Sequence, residues 1–114
     1  MASREEHRHH PRHHAPTGVA LTLRRETGDD EPLHLLCRDV SRTGLGVTFP
    51  HAIHPDTDVE LWVSLPDQAA PLHLFGTVAW CAAPLGQWRA GIALDLERSD
   101  GQAWEARFEG SDRP

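Results

Sequence analysis

Six residues, Asp39-Val40-Ser41-Arg42-Thr43-Gly44, hold the densest chemistry in this 114-residue chain. Asp39 and Ser41 are two positions apart, so on extended backbone their side chains share a face. A carboxylate accepts hydrogen bonds in pairs, and a hydroxyl both donates and accepts. Together they suit a flat edge carrying adjacent N–H donors, such as the Watson–Crick side of guanine. Gly44 permits a positive φ and lets such a ligand approach the main chain closely. Asp, Ser and Gly also build ordinary turns for purely local reasons, and the hexapeptide alone fits that reading too.

A second group lies upstream, where Arg8 and Arg12 are four residues apart in Arg8-His9-His10-Pro11-Arg12. A guanidinium fork takes phosphate oxygens or the O6/N7 edge of guanine bidentately, and its plane stacks on a base. On fully extended chain the two Cα atoms stand about 13 Å apart. A bent segment brings the forks closer, so that both could hold one compact dinucleotide.

R-x-x-x-R, then about two dozen residues, then D-x-S-x-x-G resembles the PilZ domain family of bacterial cyclic di-GMP receptors. The resemblance runs from about Arg8 to Leu96. It implies that Arg8 and Arg12 grip phosphates and guanine edges, that Asp39 and Ser41 read guanine, and that Gly44 shapes the turn. It brings three further candidates for ligand contact: His7 beside the first arginine, Arg42 inside the turn, and Trp80 on a later strand. For Arg42 an exposed spacer fits equally well. For Trp80, core packing is the expected role, because strand aromatics prefer the interior. The implied protein is a receptor whose ligand is cyclic di-GMP, with no cofactor, and which acts through an effector protein; with no apolar leader or membrane span in its sequence it is expected to be cytoplasmic. A ligand-independent interaction module of the same fold is the alternative; such members usually lack the first motif's arginines, which this chain keeps.

The elements that must position these residues follow from periodicity. Residues 18–25 alternate, with Val19, Leu21 and Leu23 on one face, as a half-buried strand does. Residues 33–40, 45–49, 59–65, 72–81 and 88–96 continue the pattern, separated by Gly-, Pro- and Asp-rich turns. Gly76 inside the fifth strand suggests a bulge or bend. Trp62 points outward, as an edge cover or a contact site. Trp88, Ala90, Ile92 and Leu94 lie in phase. Six short strands at regular spacing predict an all-β fold, a small six-stranded antiparallel barrel. The PilZ fold is likewise such a barrel with a C-terminal helix. Near the end the period changes: Ser99 and Gln102 fit a capping box, and Trp104 and Phe108 share a helical face. The expected organisation is a flexible arm over residues 1–17, a barrel domain over 18–109 with its helix near 99–109, and a tail over 110–114.

Composition narrows the function classes. Net charge is −6 and every basic residue is an arginine. An acidic body argues against sequence-independent binding to DNA, RNA or an anionic membrane. No run approaches the roughly 18 apolar residues of a membrane span. Cys37 and Cys81 fall inside predicted strands and are expected as free thiols. His7, His9, His10, His13 and His14 could bind a transition metal, but Pro11 opposes the helix that would align them. A purification tag is a further reading, but such tags run uninterrupted, and Pro11 and Arg12 break this one; the preferred reading is spacers in a flexible arm that carries the arginines, with rings that can stack on bases. Protonation near pH 6.5 adds positive charge there, so calorimetry is expected to show modestly tighter binding of cyclic di-GMP at pH 6 than at pH 8. His34, His51, His54 and His73 are scattered singly, and no nucleophile–base pair stands out, so no enzyme activity is expected.

Overall fold

Each predicted strand forms, because alternating apolar residues bury one face and leave the other polar. The computed structural model describes residues 13–28 and 31–109. Strands β1 (His13–Arg25), β2 (Leu33–Ser41), β3 (Gly44–Phe49), β4 (Asp58–Val63), β5 (Leu72–Ala82) and β6 (Trp88–Leu94) precede helix α1 (Gly101–Glu109). All pairings are antiparallel, and the strands close in the order β1-β2-β3-β6-β5-β4. Closure pairs every described strand with two neighbours. Cys37, Val47, Val59, Leu61, Leu74 and Val78 are almost wholly buried inside. The Cys37 thiol donates to the Asp39 carbonyl at 3.1 Å. Burial pushes its pKa up to about 12, with the Asp39 charge adding to the effect, so it stays a neutral thiol. Both cysteines are free, as expected.

Several boundaries differ from the sequence reading. β1 begins at His13, five residues before the expected start, and its ladder to β2 jumps between His14 and Val19. Pro16 lies in the jump and has no N–H to give the ladder, which masks this part of the strand in a pattern search. Trp88 is 36% exposed although Ala90 and Ile92 are buried in the same strand. Gly76 makes no bulge. A Cβ there would sit 2.7 Å from the Ala93 carbonyl oxygen, so glycine allows close strand contact instead.

α1 closes one end of the barrel. Trp104 is fully buried, its ring centroid 5.0 Å from that of Phe108. The expected capping box does not form. The helix starts at Gly101, and a Cβ at that position would lie 2.5 Å from Leu96 backbone atoms. Ser99 adopts φ 50° and its hydroxyl meets His73 Nδ1 at 2.6 Å, while Gln102 Nε2 donates to the Leu96 carbonyl. Asp100 performs the anchoring: its carboxylate accepts from the His73 amide at 2.8 Å, and its own amide donates to the His73 carbonyl.

His73 also joins the helix start to β4. Its Nε2 lies 2.6 Å from Glu60 Oε2, and its ring stacks on outward-facing Trp62 at 5.2 Å. A carboxylate only accepts, so Nε2 carries the hydrogen. Arg24 donates to the other Glu60 oxygen at 3.0 Å. Burial raises the Glu60 pKa, but the hydrogen bonds from His73 and Arg24 and their charge outweigh it and hold the carboxyl below its usual 4.5. The folded state therefore gains stability above about pH 4.5 and loses it as pH falls through the depressed value. Thermal melts should show Glu60→Gln less stable than wild type at pH 7, with the gap closing towards pH 3. A gap that does not change with pH would remove the network from the account.

Candidate functional site

Part of the outward face of the β3–β6 pair is nearly without side chains. Leu45, Val47, Ala90 and Ile92 point into the core, so Gly44, Gly46, Gly91 and Ala93 point out. Gly44 is the register partner of Ala93, and Gly46 of Gly91. Four adjacent positions thus carry at most a methyl group, making a flat floor. This floor belongs to a groove of about 220 Å³ walled by Asp39 and Ser41 on one side and by Trp80 on the other.

The walls depend on two irregularities. In β2 the ladder to β3 shifts between Cys37 and Asp39, with Arg38 as the extra residue. Asp39 then pairs with outward-facing Gly46, and Ser41 with Gly44, while Val40 between them packs on the core. Asp39 and Ser41 therefore share the groove face. The Asp39 carboxylate lies directly across Gly46, where a Cβ would collide with Oδ1 and stand 3.2 Å from Cγ. Asp39 is only 8% exposed.

In β5 the ladder to β6 shifts between Val78 and Trp80, with Ala79 as the extra residue. Leu72, Leu74, Gly76 and Val78 face inward at alternate positions, and that phase would send Trp80 into the core too. The bulge reverses it. Trp80 is 46% exposed and lies over Gly91, whose missing Cβ makes room for the indole. The expectation of core packing is thereby corrected.

Gly44 is needed for a different reason from the one expected. It has no positive φ; among the described glycines only Gly28 and Gly86 do. A Cβ at Gly44 would lie 2.7 Å from the Ile92 carbonyl oxygen. Arg42 turns away from the groove, its Nε 3.9 Å from Glu105 Oε2 on α1. The same helix holds the turn through Trp104, whose indole N–H donates to the Ser41 carbonyl at 3.1 Å.

Three residues escaped the sequence reading. Gly46 and Gly91 are strand glycines, a signal of close approach that alternation of Gly44-Leu45-Gly46 would have revealed. Arg89 was not singled out. It lines a second hollow of about 240 Å³ that continues the groove beyond Trp80 and again includes Asp39 and Gly46.

Arg8, Arg12 and His7 lie outside the described residues. The backbone that follows them does not. His13 pairs with Val40 and His14 with Asp39, so the chain runs beside the groove wall directly after Arg12. Among the described residues, no group of three His, Cys, Asp or Glu side chains could hold a metal ion. No described helix is long and apolar enough to cross a membrane.

A closed six-stranded barrel with one end covered by a short helix, and a glycine-floored groove between an acidic strand exit and an exposed tryptophan, place the chain among small antiparallel β-barrel domains. The PilZ domain family model matches residues 6–108. The chain belongs to the PilZ domain family. No curated protein matches its sequence. Among solved structures it is similar to the PilZ domain of YcgR from Escherichia coli with c-di-GMP, at TM-score 0.68 and 14% identity, covering 93% of this chain and 91% of that one. It is also similar to the Bacillus subtilis inhibitor of motility MotI/DgrA, at TM-score 0.65 and 16% identity, covering 94% of this chain and 53% of that one. MrkH, a c-di-GMP-dependent transcription regulatory factor, aligns at TM-score 0.66 and 10% identity, covering 91% of this chain and 50% of that one. The chain thus spans about half the length of MotI and MrkH. At these identities the likeness is one of fold.

Proposed function

We propose that this protein is a cyclic di-GMP receptor that orders its N-terminal arm on the ligand and signals through a protein partner. The observation that carries the reading is the pairing of His13 and His14 with Val40 and Asp39, the wall of the glycine-floored groove. Arg12 immediately precedes that pair, and one residue spans at most about 3.6 Å. Family membership and the c-di-GMP-bound neighbour support the ligand class.

The groove suits this ligand chemically. A guanine lies flat on Gly44, Gly46, Gly91 and Ala93 and stacks against Trp80. Asp39 accepts from the adjacent N1 and N2 hydrogens, and the Ser41 hydroxyl supplies a further polar contact. Arg8 and Arg12 take phosphates and the O6/N7 edge. Arg89, at the far end of the groove, offers a third fork. His7 neighbours the first arginine and bears on how many ligand molecules bind. Arg42 drops out of direct contact in this reading, since it is held towards Glu105.

Ordering the arm costs about 1–2 kcal/mol per residue fixed. Each charge-assisted hydrogen bond returns about 1.5–3 kcal/mol. β1 begins at His13, so the proposed cost falls on the few residues from Arg8 to Arg12. Two arginines and one stacked base balance that cost. The arm laid across the groove is then the surface that a partner reads.

Titration calorimetry with cyclic di-GMP tests this directly. Wild type is expected to bind with micromolar or better affinity, and Arg12→Ala to lose at least about 1.5 kcal/mol, roughly tenfold. Absence of heat with the wild-type protein would favour the ligand-independent module. Equal affinity of the two proteins would take the arm out of the site.

A further inference from the structure

In a chain of net charge −6, carboxylates claim most of the arginines. Arg24, Arg42, Arg98 and Arg107 each pair with a glutamate or an aspartate, and Arg25 is also engaged. Among the described residues, Arg38 and Arg89 are the two arginines with neither an ion pair nor a hydrogen bond. Arg38 is exposed, where water satisfies a free fork. Arg89 is half-buried and lines the hollow of about 240 Å³ that it shares with Asp39, Gly46 and Trp80. It makes no bond even to its ladder partner Thr48, whose hydroxyl is buried without a hydrogen-bond partner. Arg89 is therefore a partly desolvated cation with five donors and no acceptor.

Asp39 and Arg89 come from strands on either side of β3. Strand spacing sets β2 and β6 roughly 10 Å apart. The outward positions between them, Gly46 and Gly91, carry no side chain, and the Trp80 indole lies over Gly91 as a stacking surface. One wall of the hollow thus offers acceptors and the other offers donors. That asymmetry fits a purine with donors on one edge and acceptors on the other. In guanine, N1 and N2 carry hydrogens, while N7, across the rings from N2, accepts together with O6. Adenine presents N6 hydrogens in place of O6 and would meet Arg89 donor against donor. A free anion fits worse, because the Asp39 carboxylate lines the same hollow.

We infer that Arg89 is a specificity-determining residue: its fork takes the O6/N7 edge of the guanine whose N1/N2 edge Asp39 accepts, which leaves the arginines of the arm for the phosphates and the second base. This assignment rests on the cyclic di-GMP reading above. The probes are cyclic di-GMP and its bis-7-deaza analogue, which has C–H in place of each N7. In calorimetry, wild type should prefer cyclic di-GMP over the analogue by at least about tenfold. Arg89→Ala should bind cyclic di-GMP about tenfold more weakly than wild type, and its preference over the analogue should fall about tenfold as well. The side chain stands on the outside of the barrel, so thermal melts should show the variant folded; Arg89→Gln carries the same test if it is not. A cation that only attracts phosphate would lower the affinity for both ligands and leave the preference unchanged. The assignment is overturned if wild type binds both ligands equally, if the variants bind cyclic di-GMP as wild type does, or if they bind weakly with the preference intact. A wild-type protein that binds no cyclic di-GMP at all would overturn the receptor reading itself, and this assignment with it.

Discussion

Replacing Trp104 by alanine is expected to destabilise the protein by about 3–5 kcal/mol, the range for deleting a large buried aromatic. Three contributions add. The indole is completely buried, so its removal opens a cavity at the end of the barrel. It loses its contact with the Phe108 ring. It also leaves the Ser41 carbonyl without the N–H that α1 supplies. This last contact joins stability to function, since Ser41 forms a wall of the groove. Urea unfolding should show the lower midpoint, and the variant should bind cyclic di-GMP more weakly even at temperatures where it stays folded. Trp104→Phe should recover most of the packing but not the hydrogen bond. If Trp104→Ala unfolds within about 1 kcal/mol of wild type, α1 does not close the barrel in the way described.

Asp39→Asn should reduce affinity for cyclic di-GMP by about 1.5–3 kcal/mol, roughly tenfold to a hundredfold or more. The amide keeps the shape that fits over Gly46, so the groove survives. It replaces one acceptor oxygen by a donor, which then faces the N–H donors of guanine, and it removes the charge that strengthens both contacts. The carboxylate is nearly buried and engaged within the folded chain, so replacing it is expected to cost some stability as well. The variant should melt below wild type but stay folded at the temperature of the titration, so that the loss of affinity is read on an intact groove. Calorimetry and thermal melts on the same preparation check both halves. Unchanged affinity would show that Asp39 does not read the base.

The strand pattern and the D-x-S-x-x-G turn were legible because both are local. Alternation reports which face a strand buries, and Asp, Ser and Gly announce the turn between β2 and β3. Trp80 was misread for the same reason: its phase with Leu74 and Val78 is inward until one extra residue, Ala79, enters the ladder. Arg42 could not be assigned from the turn alone, because Glu105 lies sixty-three positions away in sequence and only the docking of α1 brings it near. Ser99 and Gln102 had the residue types of a capping box, but His73 and Leu96 compete for their side chains in the folded chain.

The amino-acid order by itself determined the six strands, the closing helix, the turn chemistry and the family, since each rests on neighbours within a few residues. Only the tertiary structure decided that glycines from β3 and β6 form one floor, that bulges turn Asp39 and Trp80 to face it, and that the chain after Arg12 runs beside it. Such features depend on which residue stands opposite which across a ladder, and pairing between distant strands leaves no periodic trace along the chain.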